Sequence, residues 1–406
     1  MSFQQGLSGL AVASKNLDAI GNNIANASTV GYKAARAEFA DVYASSLAGS
    51  SATAVGIGAK LVAVRQQFTQ GSIVTTANPL DLAINGAGFF RLTNNGTISY
   101  SRNGQFSLDA SGFLVSNSGA RLTGYAADVN GQVIASTPGD LRVSLTNLAP
   151  RATTTATVGM NVDSRDTAPA AAFSISNPAS YNASTAMTAF DSQGNSHTVT
   201  LYFRKTAANT WQVYGAGDGA VLNGGVALTT LNFNSAGVLP ADATANISMP
   251  LTSGATSPLA FPITFPATGT TQFGVNFAVN QLSQDGFTTG RLAGFSIGDD
   301  GTVIGRYSNG QTRAQGQVVL ADFVNAQGLV SLGNNEWAES AMSGQSLVAA
   351  PGAGTLGSLQ SGALEEANVD MTEELVKMIT AQRVYQANAQ TIKTQDQVLQ
   401  TLVNLR

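Results

Sequence analysis

The chain contains no cysteine. That excludes disulfides, thiolate nucleophiles and Cys-based metal sites. Charged residues make up only 11% of its 406 residues, less than half the usual share. Ser, Thr, Asn, Gln, Ala and 43 Gly take their place. Such a surface is polar but weakly charged, so copies of the chain repel one another little. The net charge is −4 and no basic block occurs, which argues against nucleic acid as a partner. Aromatics are 7% and histidine occurs once. No apolar run reaches the roughly 18 residues that a membrane span needs, so no membrane insertion is expected. The first residues lack a basic n-region, and Lys15 and Asp18 interrupt their apolar face. A cleavable signal peptide is therefore not expected, and export would need a route that ignores one.

What is present is most ordered at the two ends. Phe3, Leu7, Leu10, Ser14, Leu17, Gly21 and Ile24 recur at alternating spacings of four and three. Met378, Tyr385, Ile392 and Leu399 recur every seven residues, and Leu375, Gln382, Ala389 and Val403 supply a second row. A heptad register predicts two amphipathic helices that want helical partners. An isolated helix is marginal in water, so the ends are expected to fray until they meet a partner. Asn26, Ser28, Thr29 and Gly31 end the first helix. Thr372 is a plausible N-cap for the second, with Glu373 and Glu374 at the positive end of its dipole.

Between the helices the pattern is β. Tyr32 to Ala48 has room for a short helix, Leu47 to Gly58 reads as loop, and alternation returns from Ile57 to Thr69. Asn95-Gly96, Asn103-Gly104, Asn130-Gly131, Asp300-Gly301 and Asn309-Gly310 each sit between apolar runs and predict hairpins. The texture changes at the Thr-rich stretch Thr153–Thr157, and His197 to Lys205 alternates.

The expected layout is nested and mainly β. Residues 1–28 form an N-terminal helix that pairs with a C-terminal heptad helix, 368–406. Residues 29–70 connect. Residues 71–145 with 285–355 form a middle β domain, 146–284 an outer one, and 356–367 a linker. The β domains are sandwich- or barrel-like, and the helices form an antiparallel coiled-coil layer when copies assemble.

No catalytic, metal or cofactor site emerges. His197 reads as an ordinary strand residue with no Ser/Asp constellation beside it. Asp299-Asp300-Gly301 lacks the further ligands of a calcium loop and reads as a turn. Gly215-Ala-Gly217-Asp-Gly219 lacks the Lys-Ser/Thr of a phosphate loop and reads as flexible. Asn26, Asn95, Asn182 and Asn246 open N-x-S/T sequons of a kind that chance supplies. Glu365 and Glu366 read as solvated surface beside the linker. The chain is not expected to be an enzyme.

Three stretches carry a specific resemblance. NNIANASTVGYK (Asn22 to Lys33), with Asn22, Asn23, Asn26, Gly31 and Tyr32, resembles the N-terminal signature of the bacterial flagellar rod and hook family. NPLDLAINGAGFF (Asn78 to Phe90), with Asp81, Gly86, Phe89 and Phe90, is similar to that family's central motif. Asn368 to Leu405, with Asn368, Asp370 and Glu374, resembles its C-terminal signature. Room for two β domains, and the stretch Ala189 to Lys205 followed by Trp211, favour the hook branch over the distal rod branch. The resemblance implies a subunit of a curved, flexible tube that joins rod to filament and transmits torque. It also implies an extracellular place in the flagellum. The implied partners are further copies of itself, distal rod, hook cap and hook–filament junction proteins, and the flagellar export apparatus. A distal rod protein is the alternative within the family. A secreted β-rich adhesin and a carbohydrate-active enzyme are more remote, since the first needs no paired heptads and the second needs a carboxylate pair in an aromatic cleft.

Overall fold

The computed structural model describes residues 2–42 and 56–404. They divide into two units. The first comprises 1–145, 294–306 and 312–406; the second comprises 146–293 and 307–311.

In the first unit, helix α1 (Ser2–Ala25) lies along helix α2 (Met371–Asn404). The pair is antiparallel: Gly6 meets Ile392, Gly9 meets Asn388, and Asn23 reaches Glu374. Each helix is the other's partner along α1, and α2 runs on past the start of α1. Asp370, not Thr372, caps α2. Its carboxylate accepts from the backbone N–H of Thr372 at 2.8 Å and of Glu373 at 3.1 Å, while Glu373 and Glu374 occupy the first turn.

Residues 35–42 are not helical. They form strand β1 (Ala35–Val42), paired antiparallel with β2 (Gly58–Gln66). The alanines favour helix locally, but a long ladder to a Val-rich partner overrides a weak propensity. The loop expected over Leu47 to Gly58 falls mostly on 43–55, outside the described residues.

Beyond this hairpin, strand Phe89–Asn94 pairs with Thr97–Ser101, Arg121–Ala126 and Leu320–Asp322. Phe89, Tyr100, Phe323 and Trp337 bury against one another with Phe68 beside them, mostly in edge-to-face pairs. The segment expected to be a linker is not one. Ser358–Ser361 pairs with Leu82–Asn85, and Ala363–Glu365 pairs with Ile73–Thr75. Its Ser and Gly composition imitates a linker, but Leu359 and Ala363 are buried and anchor it.

The turns follow backbone chemistry. Asn95 and Gly96 have φ of 49° and 87°, as a tight primed hairpin requires. Gly131, Gly301 and Gly310 also take positive φ in turns. Asn103-Gly104 makes no hairpin. Gly104 is needed because the backbone passes Leu82: a β-carbon there would lie 1.6 Å from its carbonyl oxygen.

The second unit is a two-sheet sandwich. Ala183–Phe190, Ser196–Ala207, Thr210–Gly217 and Thr229–Asn232 lie in one sheet. Ala243–Met249, Leu259–Phe265, Ala156–Asn161 and Ala278–Gln284 form the other. Alternate residues of the two sheets, such as Val199, Leu201 and Phe203 against Ile247, Phe261 and Ile263, fill one core around Trp211. Gly215 and Gly217 are in a strand of this sandwich, not in a flexible loop; a β-carbon at Gly217 would meet Met249 Sδ at 2.2 Å.

Candidate assembly surface and the junction beneath it

Two neighbouring rows run along α1, and they behave differently. The row Gly6, Gly9, Ala13, Asn16, Ile20 and Asn23 faces inward. Its residues are mostly small, so the two backbones approach closely. A β-carbon at Gly6 would stand 2.9 Å from Ile392 Cγ1. The opposing row on α2 is Glu374, Met378, Ala381, Asn388 and Ile392, all buried or half-buried.

The row of large residues lies one position round from the small one. Phe3 and Leu7 are 45% and 55% exposed, while Leu10, Leu17 and Ile24 are half-buried. On α2, Ile392 meets α1 and Met378 is half-buried, but Leu375, Tyr385, Leu399 and Val403 remain exposed. The row Leu375, Gln382, Ala389 and Val403 is therefore not the one that packs within the chain; Glu374, Ala381 and Asn388 take its place. Periodicity fixes the spacing of a seam but not its phase, and small residues decide which side admits a second helix.

At 100° per residue, Phe3, Leu7 and Leu10 fall on one flank of the helix pair. Val12 falls on the other. There, Val12, Ala13, Phe39, Val376, Ala381 and Val384 line an open apolar groove of about 420 Å³. The pair thus carries large apolar side chains on one flank and an unfilled apolar groove on the opposite one.

Beneath the helices the motif residues converge. The Tyr32 hydroxyl donates to Asn22 Oδ1 at 2.7 Å and Asn23 Oδ1 at 3.1 Å. Asn23 also accepts from Ala35 N–H and donates to the Ala35 carbonyl and to Glu374. Burial, and secondarily the Glu374 charge, push the Tyr32 phenol above its ordinary pKa. Asn26 donates back to the Asn22 carbonyl and closes α1. Asn368 accepts from Ala34 N–H and donates to the Gln67 carbonyl. Asp81 accepts from Thr76 and Asn78. Gly31 (φ 70°) and Gly86 (φ 118°) sit where backbones nearly touch, against Asn103 and Gly357. Phe89 belongs to the aromatic core, and Phe90 packs edge-on to Phe106.

The centre of this junction was illegible in the sequence. Glu365 is fully buried, not solvated. It takes Lys33 Nζ at 2.5 Å on Oε1 and Arg102 Nη1 at 3.1 Å on Oε2. Lys33, itself fully buried, also donates to the Thr69 carbonyl; Arg102 donates to the Ile84 and Gly86 carbonyls and lies over the Phe89 ring. Burial lowers the pKa of both cations, against the opposing pull of Glu365. Two cations share one carboxylate, and backbone carbonyls take part of the remaining donors, while Arg102 Nε stays buried without an acceptor. Lys33 ends the N-terminal motif, which is the one signal that pointed here.

His197 does have carboxylate neighbours, contrary to the reading of it as an ordinary strand residue. Its Nδ1 lies 2.7 Å from Asp218 and its Nε2 3.3 Å from Asp191, and Ser253 bonds Asp191 rather than the ring. Both ring nitrogens are occupied by carboxylates, so neither is directed at a nucleophile.

Comparison with known proteins agrees with the junction. Residues 3–33 match the family described as flagella basal body rod protein. Residues 83–164 match the flagellar hook protein FlgE/F/G D1 domain, 161–287 the flagellar basal body protein FlaE D2 domain, and 360–405 the flagellar basal body rod FlgEFG protein C-terminal. The flagellar hook protein FlgE of Escherichia coli (strain K12) is 46% identical over 410 residues, covering 100% of both chains. The chain belongs to the flagellar hook protein FlgE family. The FlgE of Salmonella typhimurium is 45% identical and that of Borreliella burgdorferi 32%, again across all of this chain and 100% and 99% of theirs. In fold, the crystal structure of Helicobacter pylori FlgE2 superimposes with a TM-score of 0.53 at 12% identity, over 72% of this chain and 100% of that one. The FlgE motif residues thus hold together the terminal helices, the first hairpin and the strands around Glu365.

Proposed function

We propose that this chain is the building unit of the flagellar hook, a curved and flexible tube that joins rod to filament and transmits torque. Membership of the flagellar hook protein family supports this reading. The observation that carries the finer reading is the pair of unlike flanks on the α1–α2 pair. Large apolar side chains on one flank and a groove on the other favour heterologous contact, which grows into open helical assemblies when the rotation between neighbours does not close a ring. In this reading the helices form the inner layer, the domain of 71–145 with 285–355 the middle layer, and 146–284 the outer one. Distal rod, cap and junction proteins and the export apparatus are the further partners. Its place is extracellular.

Electron microscopy of assemblies grown from purified protein tests this. Curved tubes support the hook reading. Straight tubes favour a distal rod subunit instead, and a protein that stays monomeric under all polymerising conditions overturns both.

A further inference from the structure

The second unit carries a charge cluster with no part in the helical seams. His197 is the second residue of strand Ser196–Ala207, and three peripheral segments meet on it. Asp191 opens the turn 191–195 before that strand, Asp218 occupies the turn after Thr210–Gly217, and Ser253 lies in the loop after Ala243–Met249. Asp191 is fully buried. Its Oδ1 accepts from Gln193 N–H and Asn195 N–H at 2.8 and 2.9 Å. Its Oδ2 accepts from Asn195 Nδ2 at 2.9 Å and Ser253 Oγ at 3.4 Å, and faces His197 Nε2. Asp218 accepts from Thr198 N–H at 2.8 Å on Oδ1 and faces His197 Nδ1 with Oδ2. Ser192 ties the same turn to Thr256. Among the described residues no Lys or Arg pairs with either aspartate.

This geometry distinguishes the two states of the ring. An imidazolium has two N–H donors and satisfies both carboxylates. A neutral imidazole has one, so its remaining lone pair faces a carboxylate oxygen at close range. We infer that His197, Asp191 and Asp218 form a proton-dependent latch that ties the 191–195 turn to the neighbouring turn and loop and releases that edge when the ring loses a proton.

Linkage fixes the direction. Burial alone would lower the His197 pKa, but the hydrogen bonds and charges of Asp218 and Asp191 outweigh it and hold the ring above its ordinary 6.5. A raised histidine stabilises fully below 6.5 and loses that contribution as pH rises through the folded value. Burial would raise both aspartates, yet hydrogen bonds and His197 hold them below 3.8. Their contribution is present above 3.8 and is lost as pH falls. The latch is therefore closed in mildly acidic medium and opens as pH rises through the folded-state value of the ring.

The histidine is the only one in the chain, so a single imidazole resonance reports it in the full-length protein. The expected result is a midpoint above 6.5, shifted down by Asp218→Asn. Urea unfolding of the second unit, read by Trp211 fluorescence in a Trp337→Phe background, should weaken from pH 6 to pH 9. Each pH unit by which the midpoint exceeds the free value adds a tenfold loss in the folding equilibrium. His197→Gln should remove that slope. A midpoint at or below 6.5, or an undiminished slope in His197→Gln, overturns the latch. Should His197→Gln fail to fold, the response of the midpoint to Asp218→Asn decides.

Discussion

Gly9 of α1 lies so close to Asn388 of α2 that a β-carbon on the glycine would stand 2.8 Å from the asparagine side-chain oxygen. One turn away, Gly6 is as close to Ile392. The helix pair is thus held by what these positions omit. Gly6→Leu should cost about 1–3 kcal/mol through overpacking. Gly9→Ala should be close to neutral, because the flexible Asn388 amide can move and alanine recovers about 1 kcal/mol of helix propensity. Thermal melts followed by circular dichroism at 222 nm check the contrast. Equal effects of the two substitutions would refute the close-contact reading.

Leu7 and Leu399 are about half exposed. A charge there should leave the folded monomer almost unaltered and act only when copies meet. Leu7→Asp and Leu399→Asp are each expected to abolish polymer in sedimentation assays, with melting temperatures unchanged. Normal polymer yield from both variants would sink the seam as an assembly device.

Glu365→Gln strips the carboxylate that pairs directly with two buried cations. Breaking a buried ion pair from one side costs about 3–5 kcal/mol, so urea midpoints of the first unit should fall accordingly. Because Lys33 and Glu365 share the interaction, Lys33→Met combined with Glu365→Gln should cost less than the two losses added. Simple additivity in that cycle would show that the pair does not act as one.

Asp370 accepts two N–H groups at the start of α2. Asp370→Ala should lose about 1 kcal/mol and speed amide exchange in the first turn of α2. Thr372→Ala, by contrast, should change neither, since no cap bond depends on it.

Patterns with a local cause were legible in the sequence. Asn95-Gly96 announces its hairpin because both residues must accept positive φ. The terminal helices announce themselves by heptad spacing, and the strand holding Val199, Leu201 and Phe203 by alternation. Features set by distant partners were not. The phase of the α1 seam depends on where Gly6 and Gly9 meet α2. Gly104 is a glycine because of Leu82, not because of a turn. Glu365 looks like surface until Lys33 and Arg102 are placed on it, and β1 looks helical until β2 is laid beside it.

The Lys33–Glu365 pair spans 332 positions of the chain. A polypeptide that emerges N-terminus first delivers Lys33 and Arg102 long before their carboxylate. Until residue 365 arrives, burying either cation means burying a bare charge. The first unit is therefore discouraged from closing on a partial chain, and its completion is timed to the moment when only the last helix has still to come.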